Sequence, residues 1–97
     1  VPDYLFLMHN DLPGGQSEAD WDTYITGLRA ADVFRGGSSI GDGMSFRRAG
    51  APLAAQTSLT GFIRIQAPDL GSAQAFLTGN PVYEAGGTVE IRELPEE

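Results

Sequence analysis

The apolar positions of this chain fall into clusters whose spacing assigns most of the secondary structure. Tyr4-Leu5-Phe6-Leu7-Met8-His9 is apolar at both parities and too short for a helix. It is expected as a central strand buried on both faces, closed by loop punctuation from Asn10 to Gly15. Trp21, Tyr24, Ile25 and Leu28 then recur at i, i+3, i+4 and i+7, the apolar stripe of a helix running from about Glu18 to Asp32. Ser17 is its expected N-cap, and Asp20 and Asp22 suit the positive end of its dipole. Val33 to Ile40 reads as a strand weakened by Gly36-Gly37. Gly41-Asp42-Gly43 has hairpin-turn chemistry, which would let Met44 to Arg48 pair back on that strand.

The second half is patterned more sharply. Ala49 to Ser58 has no period and reads as a loop. Thr60 to Gln66 alternates, with Gly61, Ile63 and Ile65 on one face and Phe62, Arg64 and Gln66 on the other. A second helix is expected to start at Asp69 or Ser72, to gather Leu70, Ala73, Phe76 and Leu77 on one side, and to end at Gly79 and Pro81. Thr88 to Leu94 closes the chain as a strand, Val89 and Ile91 opposing Glu90 and Arg92.

The element order is β, α, β with a hairpin extension, β, α, β. It implies an α+β domain with a ferredoxin-like βαββαβ antiparallel sheet and both helices on one face. Ile63, Ile65, Val89 and Ile91 would face the helices. Phe62, Arg64, Gln66, Glu90 and Arg92 would lie on the uncovered face. The first strand adds apolar side chains to that face whichever way it turns, either Tyr4, Phe6 and Met8 or Leu5 and Leu7. An apolar stripe among charges on an open sheet suggests burial against a partner. A homodimer packed sheet to sheet around a mixed cavity is the economical arrangement.

Composition narrows the function. The 97 residues form a single domain, and they carry 13 acidic and 6 basic side chains for a net charge of −7. That argues against nucleic acid and anionic membranes as partners, since both need clustered positive charge. Cysteine is absent, so thiol and Cys-ligated metal chemistry are excluded. All the basic residues are arginines, which removes lysine nucleophiles. No apolar run approaches the roughly 20 residues of a bilayer span, and no signal peptide is visible in the first residues, so the expected location is cytoplasmic.

These stretches together resemble the YciI-like, or YCII-related, family, including its DGPF branch. The resemblance is carried by Tyr4 to His9, the Trp-bearing first helix leading into residues 30–37, and Gly61-Phe62. Pro68-Asp69-Leu70 with Ala73 and Ala75, and Asn80-Pro81 ahead of residues 87–94, extend it. It implies a dimeric α+β barrel on the ferredoxin-like fold, with activity largely unassigned. The DGPF tetrapeptide falls on Ala49-Gly50-Ala51-Pro52, keeping only the glycine. A catalytic His–Asp pair proposed for some members falls on Asp20 or Trp21 and on Asn80, so it does not carry over.

Candidate chemistry is sparse. His9, the one histidine, stands at a strand end beside Asn10 and Asp11, where a carboxylate could orient it as a general base. The plainer alternative is a strand-end His bonded to a loop. Arg64 and Arg92, with Glu90 between them in parity, could clamp an anionic ligand, or simply pair with carboxylates at a dimer interface. Asn80 and Tyr83 could bond a ligand at a barrel mouth, or start a turn. Arg47 and Arg48 suit a solvated turn. No metal site and no cofactor is implied, because one His without Cys cannot supply a transition-metal set. Two functions follow: a protein binding a small, anionic molecule in the dimer's cavity, with catalysis open, or a non-catalytic interaction or regulatory dimer. A cofactor-free monooxygenase rests on fold analogy alone.

Overall fold

Strand β1 (Asp3–His9) bonds antiparallel to β5 (Leu59–Gln66) on one side and β6 (Val89–Leu94) on the other. The computed structural model in which this is seen describes residues 1–11, 18–54 and 58–96. β2 (Phe34–Ser39) pairs with the far side of β5, giving a four-stranded antiparallel sheet ordered β2-β5-β1-β6. Helices α1 (Glu18–Ala30), α2 (Leu70–Ala75) and α3 (Pro81–Glu84) supply the second layer. The molecule is α+β, and its sheet and helices are compatible with a ferredoxin-like arrangement. Among the described residues no helix is long and apolar enough to cross a membrane.

The parity of β1 is settled by burial. Tyr4, Phe6 and Met8 are buried in the core with Ile63, Ile65, Tyr24, Leu28, Ala73 and Val82. Val89 and Ile91 pack against that cluster from β6, as their alternation predicts. Leu5, Leu7 and His9 therefore lie on the side that the helices leave open. Gly61, Ile63 and Ile65 are buried, whereas Arg64 is exposed.

Four expectations are corrected. Met44 to Arg48 does not return to β2. Met44–Ser45 (β3) pairs with Leu53–Ala54 (β4), inside the segment expected to be loop, and Gly41-Asp42-Gly43 is a connection. β3 takes its partner from across residues 46–52 instead, and among the described residues the outer edge of β2 is left free. β5 holds β2, down to an Ile40 N–H donated to the Thr60 carbonyl. The first helix ends at Ala30, before Asp32, because Asp32 turns left-handed at φ 58° and Val33 N–H closes onto the Leu28 carbonyl. The second helix stops at Ala75 and leaves Phe76 and Leu77 in the turn beyond. Asp69 is its N-cap, its Oδ1 accepting the Ser72 N–H at 2.7 Å. Pro81 begins α3 rather than closing the helix before it: proline at a helix's first position loses no hydrogen bond there, and Asn80 caps it. Ser17, the cap expected for α1, lies outside the described residues.

Candidate functional site

The open face is built on β1, whose outward positions run Asp3, Leu5, Leu7, His9. Its middle is apolar and both ends are polar. The register sets Leu7 opposite Phe62 on β5 and Glu90 on β6, and Leu5 opposite Arg64 and Arg92. Three strands thus bring most of the expected polar residues to one surface around a Leu5–Leu7–Phe62 strip.

At one end His9 Nε2 lies 3.0 Å from Glu90 Oε1, and Arg92 Nη1 donates to Glu90 Oε2 at 2.9 Å. Both carboxylate oxygens are engaged. The Arg92 bond, then the His9 bond, hold Glu90 below the usual carboxylate range, against a smaller opposing effect of desolvation. An ionised carboxylate only accepts, so Nε2 is the donor, and in the neutral ring Nδ1 then keeps the lone pair. Nδ1 has no polar partner among the described residues. The His9 side chain is 26% exposed and that of Glu90 37%, so the pair is half-shielded yet reachable. At the other end Arg64 Nε donates to Asp3 Oδ2, and Arg35 Nη2 donates to Gln66 Oε1 at 2.9 Å.

His9 is fixed by the backbone at its strand end. Its N–H donates to the Thr88 carbonyl at 3.0 Å, and the next N–H, of Asn10, donates to Ser58 at 2.8 Å. Asp11 is not the carboxylate that orients it. Asp11 instead accepts the Thr88 hydroxyl and the Thr88 N–H, bonds that hold its carboxyl below the usual range. The orienting carboxylate comes from 81 residues further along the chain, a pairing that only the register reveals.

Asn80 and Tyr83 do not join this group. Asn80 is fully buried in the helix layer, its Oδ1 accepting the N–H groups of Val82 and Tyr83 at 3.0 and 3.1 Å. It is a cap, in keeping with the turn-start alternative, and its side chain has no access to solvent. Beside it Tyr24 donates to the Phe76 carbonyl at 2.6 Å, with its phenol pushed up by burial and eased by Asn80. Tyr83 is exposed on α3. Arg47 and Arg48 are exposed beside the β3–β4 ribbon. Among the described residues no cluster of three or more His, Cys, Asp or Glu could hold a metal ion.

One feature escaped the sequence reading altogether, a recess of about 440 Å³ between α1 and strands β2 and β5. Its only signal was that Gly37 and Gly61 both fall at positions facing the helices. Compared with known proteins, the sequence matches no family model and no curated protein.

Proposed function

We propose that the open sheet face is a small-molecule site closed by a second copy of the chain, with His9 as its proton acceptor. The observation that carries this reading is the His9–Glu90–Arg92 chain of hydrogen bonds, set beside an apolar strip that a lone protomer leaves half-exposed. Glu90 fixes the tautomer and the ring plane, and Nδ1 is left to take a proton from a bound acid. Arg64 and Arg92 each spend one nitrogen on a carboxylate, which leaves the other donors of each guanidinium for an anionic ligand. A small carboxylate with an apolar body, its charge on an arginine and its body on Leu5 and Leu7, is the class that fits. The resemblance to YCII-related proteins, which form dimeric α+β barrels, supports the same closure.

The test is a thermal-shift screen of small carboxylates and phosphates against the wild type, Arg64→Ala and His9→Gln. A ligand at 100 times its Kd adds about 2.7 kcal/mol, a shift of several degrees for a domain of this size. A shift in the wild type that Arg64→Ala removes supports the site. Turnover lost in His9→Gln with binding kept assigns the proton transfer. A panel that moves nothing, with both variants folded, favours instead the non-catalytic interaction or regulatory dimer.

A further inference from the structure

Helix α1 does not lie flush against the outer half of the sheet, and the recess beneath it has chemistry of its own. At about 440 Å³ it falls within the ~300–1,000 Å³ range of small-molecule sites. Trp21 and Ile25 wall it from the helix, and Met8 and Phe34 from the sheet. It stays open because two positions beneath α1 carry no side chain. A Cβ on Gly37 would stand 2.6 Å from the Phe62 carbonyl oxygen, and one on Gly61 3.1 Å from that of Ser38. The backbone of β5 thus enforces glycine at Gly37, and that of β2 leaves little room for a side chain at Gly61.

Arg29 stands at the rim. Its guanidinium carbon is 5.2 Å from the centroid of the Phe34 ring, and no carboxylate pairs with it among the described residues. Arg64 and Arg92, by contrast, both have acidic partners. Among the described residues no Asp or Glu lines the recess, although the chain carries a net charge of −7. A mostly apolar hollow, with the hydroxyls of Ser38, Ser39 and Thr60 among its lining and an unneutralised cation at its edge, is complementary to an anion with an apolar body.

We infer that the recess between α1 and strands β2 and β5 binds a medium-chain or aromatic carboxylate, its body against Trp21, Ile25, Met8 and Phe34 and its charge on Arg29. The site lies on the opposite side of the sheet from the His9–Glu90 pair and does not depend on the function proposed for that face.

Trp21 is the only tryptophan in the chain, so its emission reports the recess directly. Titration with sodium octanoate is expected to change that emission saturably. 1-Octanol, the same body without the charge, binds at least tenfold more weakly. Arg29→Gln, at an exposed position, weakens octanoate by a similar factor, and Ile25→Phe, which fills the hollow, abolishes the response while far-UV circular dichroism is kept. The inference is overturned by an unmoved emission, by equal responses to octanoate and 1-octanol, or by an undiminished response in Arg29→Gln. An emission change that tracks protein concentration instead of octanoate also overturns it, since a second copy would then cover the recess. Should Ile25→Phe fail to fold, the Arg29→Gln comparison decides alone.

Discussion

Glu90 is the residue on which the open face turns, because its two oxygens join a histidine from one strand end to an arginine on its own strand. Its carboxyl is held below its ordinary value of 4.5 in the folded chain. A depressed carboxyl contributes stability that is full above the ordinary value and is lost as pH falls through the folded one. Between about pH 5 and pH 3 the wild type is therefore expected to lose more melting temperature than Glu90→Gln. Asp11 and Asp69, also held low, act in the same limb, so the difference between the two proteins is the quantity to read. Parallel melting curves over that window would show that the chain of bonds does not form. Asn80 makes the opposite kind of prediction. As a buried cap, its replacement by Ala should cost about 1–2 kcal/mol, seen as a lower urea midpoint, and leave ligand binding on the open face unchanged. Loss of binding at unchanged stability would return Asn80 to the ligand site. The His9–Glu90 bond was not legible in the sequence, since it depends on a cross-strand register, whereas Asn80 before Pro81 already offered the start of a turn.

At the scale of elements, β1 shows what hydrophobic pattern can and cannot specify. Its central place follows from five residues with no polar parity before His9. Its orientation does not, because Tyr4, Phe6 and Met8 are as apolar as Leu5 and Leu7, and only the helices above distinguish the two sets. The distinction is measurable. Phe6 is 0% exposed, and Phe6→Ala should cost about 3–5 kcal/mol. That is a large share of the roughly 5–15 kcal/mol that holds a domain folded. Leu7→Ala should cost far less in urea unfolding of dilute protein, where the open face has no cover. Equal losses would place β1 the other way round. The alternating strands β5 and β6, and α1 with its four-residue stripe, were legible because one face of each meets the core. The β3–β4 ribbon was not, since two-residue strands are too short to carry a period. Proline misled at α3 because it marks helix starts as readily as helix ends, and Asn80 before it was the sign of a start.

As a whole the molecule is a slab, 46 × 38 × 19 Å, with a radius of gyration of 14.7 Å against about 12.5 Å for a compact chain of this length. One sheet and one helix layer make up its thickness, and the ribbon projects with Met44, Phe46 and Leu53 exposed at 58%, 73% and 55%. On the open face Asp3 and Glu90 are balanced by Arg64 and Arg92, so the acidic surplus lies elsewhere and two such faces do not repel. Sedimentation of the wild type is expected to give a dimer. Leu7→Arg, at the centre of the apolar strip, is expected to give a monomer with unchanged far-UV circular dichroism. A monomeric wild type at high concentration would remove the closure on which the proposed site rests. The order of the four sheet strands, α1 and α2 was legible in the sequence, but nothing in a linear pattern fixes which surface a second copy would cover.

The sheet's two outer strands also bear on how the chain behaves over time. β2 shifts register between Phe34 and Gly37, around a Gly36 at φ 115° that ordinary side chains resist, so its free edge is no straight template for another strand. β6, at the other border, carries Glu90, Arg92 and Glu93 within six residues. Irregularity defends one border and charge the other, which disfavours the edge-to-edge stacking that leads to fibrils. Self-association along the rims, which would have no end, is thereby disfavoured, whereas association through the flat of the sheet would close at two copies.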